Sequence, residues 1–199
     1  DDGVCPADAG WRQQASTGGN ADWLTVSPFG KDRVWIGGRS SDLRLKNGGP
    51  FVDRSQGCGN RWTSSWADLS TGTVYLGGGN PGTGHVTSHR LDAGSCDADF
   101  QASADVSGMV GFALDSGVLL ASMTVDRVSL RWSPPAMPVS RPTNLPPGAF
   151  ILDLHGQSPG EVLVTGVEPG KSRPNVWSLQ TDAGWRDEGI DQLGGVPDA

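Results

Sequence analysis

Residues 72–79 read GTVYLGGG. Glycines Gly72, Gly77, Gly78 and Gly79 enclose the apolar core Val74–Tyr75–Leu76. Glycine weakens a strand interior unless a bulge or a close backbone approach requires it. The string has three relatives: DRVWIGGR (32–39), SGVLLASM (116–123) and GEVLVTGV (160–167). Their leading valines, Val34, Val74, Val118 and Val162, are spaced by 40, 44 and 44 residues. A fixed period of this size marks a repeat architecture.

Each copy has alternating apolar segments on both sides. DWLTVSPFG (22–30), WTSSWADLSTG (62–72), VSGMVGFALDSG (106–117) and FILDLHGQSPG (150–160) precede the four copies. DLRLKNGG (42–49), HVTSHRLDAG (85–94), RVSLRW (127–132) and NVWSLQTDAG (175–184) follow them. A weaker fourth segment follows in SCDADFQ (95–101) and GWRDE (184–188). Short alternation between turn signals is the β pattern, and no window carries a convincing 3.6-residue period.

Four strands per roughly 40–45 residues is the unit of a β-propeller blade. The expected fold is therefore all-β, with whole blades at about 20–58, 59–102, 103–145 and 146–188 and partial blades at 1–19 and 189–199 of a single domain. VCPADAGWRQQ (4–14) matches SLQTDAGWRDE (178–188), which supports a partial blade at the start. The ends then either complete a fifth blade or belong to a larger ring. In this reading VWI, VYL, VLL and VLV are second strands buried on both faces by adjacent blades, and the glycines permit close stacking. A two-sheet sandwich is the competing reading, but a sandwich needs no 44-residue period.

Within the repeat, residues 72–101 resemble the bacterial delta-sixty repeat. Gly77–Gly78, Arg90–Leu91, Asp92 with Gly94, and Asp97 with Phe100 carry the resemblance. LQTDAGW (179–185) keeps its turn, whereas LRWSPP (130–135) does not. Similar strings occur in quinoprotein-like propellers. The resemblance implies a β-propeller in a secreted or envelope protein of bacteria, placed outside the cell, in the periplasm or at the outer membrane. It implies little chemistry, because a fold alone does not give a function.

Composition narrows the function. The 199 residues carry a formal charge of −7, with 30 Gly, 14 Pro and 8 Trp. Scattered cations without a basic run argue against nucleic acid as a partner, and no apolar run reaches the roughly 18 residues of a membrane span. The chain opens DDGVCPADAG, without a leader-like stretch, as expected of an intracellular chain or of a processed or trimmed one.

Catalytic motifs are weak. Gly77, Gly79 and Gly82 satisfy G-x-G-x-x-G, but a β-type segment follows where a phosphate-binding helix is needed. His85 and His89, four apart on a strand, lie roughly 13 Å apart and cannot share a metal. His155, Asp153 and Asp115 fall on or near inner strands, where a carboxylate pair could serve a glycosidase. Trp35 is a core candidate, Trp62 and Trp66 flank an inner strand, and Trp11 and Trp185 occupy equivalent turns. No catalytic residue, metal or cofactor is expected.

Loops between second and third strands should open on one face, together with the connections between blades. The candidate binding residues there are Arg39, Arg54, Arg61, Asn80, Arg141, Lys171 and Arg173. Cys58 and Cys96 are the most plausible disulfide pair, with Cys5 as an alternative partner for either. The leading expectation is a non-catalytic, exported binding or scaffold module that meets a protein or a glycan, with a subunit's place in a larger complex as one setting for it. The alternative is a carbohydrate-active propeller, either a lectin or a glycoside hydrolase or lyase.

Overall fold

The computed structural model describes residues 22–39, 42–59, 61–80, 83–97, 100–102, 106–114, 117–124, 128–133, 145–156, 162–180 and 184–188. All regular structure among them is β. The first sheet holds β1 (Trp23–Gly30), β2 (Arg33–Gly38), β3 (Leu43–Asn47) and β4 (Val52–Asp53). The second holds β5 (Trp62–Ala67), β6 (Val74–Asn80), β7 (Thr83–His89) and β8 (Phe100–Ala102). The third holds β9 (Gly108–Leu114), β10 (Gly117–Met123) and β11 (Val128–Ser133). The fourth holds β12 (Phe150–Gly156), β13 (Val162–Val167), β14 (Asn175–Gln180) and β15 (Gly184–Asp187).

In every sheet consecutive strands pair antiparallel, so each is a simple meander. Separate meanders exclude the sandwich. The third sheet shows three strands among the described residues; 134–144, where a fourth would fall, lies outside them. Outside them too lie the partial units expected at 1–19 and 189–199. First strands lie beside one another along the stack: β1 touches β5, β5 touches β9, and β9 touches β12.

The apolar strings of the second strands show how the sheets are joined. Successive side chains on a strand point to opposite faces. On β6, Val74 and Leu76 enter the core shared with the first sheet, beside Trp35, Leu43 and Trp62. Tyr75 between them enters the core shared with the third, beside Val118 and Leu120. On β10 the alternation continues: Leu119 and Ala121 pack with Ile151, Val162, Val164 and Trp177 of the fourth sheet. The middle sheets thus bury both faces, which is why their second strands are apolar without a break.

The outer two depart from expectation. Leu163 of β13 points away from the stack and is 44% exposed, and on the first sheet Val26 is 63% exposed. Among the described residues each end sheet buries one face only, although its second strand has the composition of a two-sided one.

The glycines follow from the same joints. A β-carbon on Gly77 would lie 2.6 Å from both Ser64 Oγ and Val106 Cγ1. One on Gly37, the equivalent position of β2, would lie 3.0 Å from the Thr25 methyl and 3.2 Å from Trp62 Cβ. At Gly77 a side chain would force its neighbours to shift, and at Gly37 they would have to give by a few tenths of an ångström.

Candidate binding face

In a four-stranded meander the turns joining strands one to two and three to four lie at one end. The connections joining strands two to three, and one sheet to the next, lie at the other. Among the described residues, this topology collects 39 and 42, 59 and 61, and 168–174 at the connection ends of their sheets. The strands holding them are fixed by packing, so the side chains they carry rest on a rigid base.

Arg39 follows β2 directly. Its amide donates to the Asp22 carbonyl at 3.0 Å and its guanidinium meets the Asp22 carboxylate at 3.3 Å. Both side chains are more than half exposed, so the pair is in water and contributes little to stability. Arg61 directly precedes β5. Its carbonyl accepts the Gly79 amide at 2.9 Å, while its buried Nε has no hydrogen-bond partner. The approach of Gly37 to Trp62 sets these two arginines beside the same joint. Asn80 ends β6, paired opposite Thr83. On the fourth sheet, Lys171 reaches Glu168 at 3.2 Å and Arg173 is exposed in the same connection.

Two of the expected site residues are not part of this cluster. Arg141 lies outside the described residues. Arg54 is half-buried and its Nη1 donates to the Ala93 carbonyl, at 3.4 Å, in the turn between β7 and β8. That turn is at the opposite end of the second sheet. Cys58 and Cys96 explain the displacement: they form a disulfide with α-carbons 5.1 Å apart. The bridge draws Cys58 to the β7–β8 turn, while the Arg54 amide stays bonded to the Leu43 carbonyl at 2.8 Å and only its guanidinium reaches across to Ala93.

The opposite end holds carboxylates committed to turns. Asp68 is buried and accepts the Ser70 amide at 2.9 Å, the Ser70 hydroxyl at 2.8 Å and the Thr71 hydroxyl at 2.7 Å. Burial raises its pKa, but these hydrogen bonds outweigh burial and hold it below the ordinary carboxylate value. His89 is fully buried against Trp35, with ring centroids 5.2 Å apart and Nδ1 2.7 Å from the Arg90 carbonyl. Burial lowers its pKa, and nearby Arg54 acts in the same direction.

The weaker chemical candidates are likewise located. His85 and His89 lie on β7, a strand. The glycine motif at 77–82 joins β6 to β7, with no helix following. Asp153 and His155 pair with each other at 2.9 Å, both mostly exposed; Asp115 lies outside the described residues. Among the described residues no three His, Cys, Asp or Glu side chains gather as a metal would need. Trp35, Trp62 and Trp177 are buried in the joints, and Trp66 packs against the second. The side chains of Trp11 and Trp185 are not described.

Sequence reasoning missed the unpartnered Arg61 Nε and the redirection of Arg54. Neither has a local signal, since both depend on contacts between sheets.

No protein-family model matches the chain, and no curated protein sequence does. Solved structures do. A chain in the "Crystal Structure of Mitotic Checkpoint Complex" aligns with 82% of this chain at 14% identity and a TM-score of 0.54. This chain covers 49% of it, so it spans about half the length of that neighbour. "YCF48 bound to D1 peptide" aligns with 90% of this chain at 12% identity and a TM-score of 0.54, and 70% of its own chain is covered. The WD40 β-propeller domain of Doa1 aligns with 84% at 13% identity and a TM-score of 0.40, with 78% of that chain covered. Repeated antiparallel meanders, stacked face to face with their first strands side by side, are the β-propeller architecture, and that is the fold of this chain.

Proposed function

We propose that this propeller is a non-catalytic binding or scaffold module that holds a protein partner on its connection end. The observation carrying the proposal is the set of cations there, Arg39, Arg61, Lys171 and Arg173, on a chain of net charge −7. The fitting partner is a protein segment rich in Asp and Glu, steered by charge and held by arginine–carboxylate hydrogen bonds. One structural neighbour, YCF48, is bound to a peptide, which agrees with this use of the fold. Carbohydrate binding is the weaker reading, because Trp35, Trp62 and Trp177 are spent on packing and offer no platform to a sugar.

We place the module outside the bacterial cytoplasm, as a subunit of a larger assembly. The Cys58–Cys96 bridge supports export, since such bonds persist in oxidising compartments. The bacterial assignment rests on the repeat's resemblance alone.

The test is fluorescence anisotropy with labelled Glu/Asp-rich and Lys/Arg-rich peptides of equal length. The acidic peptide should bind and weaken as salt rises. Arg39→Glu with Lys171→Glu should abolish binding while circular dichroism stays unchanged. Equal binding of both peptides, or binding indifferent to the substitutions, rejects the proposal.

A further inference from the structure

Three of the four sheets begin their first strand with a bulge. The extra residue is Leu24 on β1, Thr63 on β5 and Leu152 on β12. Across from each stands a glycine, Gly38, Gly78 or Gly166, whose β-carbon would strike the carbonyl of Asp22, Arg61 or Phe150. The third sheet has Ser122 in the glycine's place and pairs without a bulge. Asp22, Arg61 and Phe150 are therefore equivalent positions at the connection end. Each faces the residue after its glycine. The Arg39 amide donates to the Asp22 carbonyl at 3.0 Å, the Gly79 amide to the Arg61 carbonyl at 2.9 Å, and Phe150 is paired with Val167.

In two of these pairs the side chains match. Asp22 and Arg39 form an ion pair at 3.3 Å, and Phe150 with Val167 is apolar with apolar. In the second sheet a cation faces a residue with no side chain. Gly79 cannot be exchanged for an acid: its φ is +144°, and a β-carbon there would strike the Thr83 carbonyl. Arg61 is half-buried, and its Nε, withdrawn from water, meets no acceptor among the described residues. Buried donors in folded proteins are matched by acceptors. A guanidinium takes a carboxylate through two parallel N–H···O bonds. Arg39 and Lys171 differ from Arg61, because Asp22 and Glu168 already neutralise them.

We propose that Arg61 takes an Asp or Glu side chain of the bound segment. The bound carboxylate lies over Gly79, where the first sheet places the other half of its own ion pair. This rests on the partner-binding reading above and assigns its specificity to one residue. Arg39 and Lys171 act on the approach of the partner, and Arg61 acts on its retention.

Stopped-flow fluorescence with a labelled, C-terminally amidated Glu/Asp-rich peptide separates the two roles. Arg61→Gln should raise the dissociation rate about 10-fold or more and leave the association rate within about twofold. Arg39→Gln should do the reverse, slowing association and leaving dissociation within about twofold. Arg61→Lys should keep the Arg61→Gln defect, because an ammonium lacks the planar fork. The second readout is the Nε–H resonance of Arg61 in the wild-type chain. Sodium acetate alone should move it further than the resonances of exposed Arg33 and Arg90, and the peptide should move it at far lower concentration. If the peptide binds and Arg61→Gln leaves dissociation unchanged, the Arg61 subsite is overturned and the connection-end reading stands. A peptide that fails to bind while acetate still moves the Arg61 resonance overturns the acidic-segment reading and leaves the carboxylate subsite intact. A resonance indifferent to both acetate and peptide overturns the subsite, its acceptor then lying within the chain. Should Arg61→Gln misfold, the resonance decides alone.

Discussion

Reducing the Cys58–Cys96 bridge should destabilise the first joint more than any other single covalent change. The bridge joins the connection between the first two sheets to the turn between β7 and β8, across a sequence separation of 38. Closing a loop of that length removes chain entropy from the unfolded state amounting to about 4 kcal/mol at 25 °C. For a domain of this size each kcal/mol moves the midpoint by about 2–4 °C, so the loss corresponds to about 8–16 °C. The assay is thermal unfolding followed by circular dichroism, with and without reductant. A Cys5→Ser variant serves as control and should keep the full effect. Before reduction, trypsin should release residues 55–61 covalently linked to residues 91–127, and mass spectrometry should detect the pair. Failure to find that linked pair, or an unchanged midpoint after complete reduction, would refute the reasoning.

Other outcomes follow from single contacts. Gly77→Ala should lower the unfolding free energy measured by urea titration by about 1–3 kcal/mol, because the new methyl meets Ser64 and Val106 at 2.6 Å; Gly49→Ala, with nothing within 4 Å, should stay within about 0.5 kcal/mol. Trp35→Phe keeps the ring in the joint but orphans the Gly72 carbonyl, which the indole N–H reaches at 2.9 Å. The expected cost is about 1–3 kcal/mol by chemical denaturation. Stability should also fall as pH drops below 6.5: folded His89 has a lowered pKa, so the unfolded chain takes up that proton first and acid favours unfolding. His89→Phe should flatten that part of the pH profile, while the separate acid loss from Asp53 and Asp68, whose pKa values are also lowered, should remain at lower pH. An unaltered slope between pH 6.5 and 5 in the variant would assign the effect elsewhere.

Most of the strand order was legible because each strand's periodicity is local. Val74–Tyr75–Leu76 is continuously apolar because its side chains serve two different neighbours, and sequence spacing alone announces that. The glycines were legible as a repeated device, although only the structure shows that Ser64 and Val106 make Gly77 necessary. What stayed hidden depends on the path of a connection through space. Cys58 and Cys96 were legible as the first-choice pair, but not the path by which the stretch from Arg54 to Cys58 crosses to the neighbouring sheet and brings them together. Arg54 looked like a loop-face cation for the same reason. The bare faces of the end sheets were illegible because Leu163 has the same sequence environment as Leu119, and only the presence or absence of a neighbouring sheet distinguishes them.

This division also bears on catalysis. An active site on the inner strands would need polar groups free to act on a substrate. The hydroxyls found there are already engaged: Thr25 and Ser27 each meet Ser65 at 2.6 Å, and Thr63 donates to the Val106 carbonyl at 2.5 Å. They satisfy the polar backbone and one another where sheets converge, as buried polar groups must. Asp153 and His155, the exception, are exposed and bonded to each other. The connection-end cations differ in kind. They sit on segments of unequal length and sequence that the joints do not consume, so they can change without unbuilding the sheets. Among the described residues, the connection end is therefore where side chains can vary without cost to the packing between sheets.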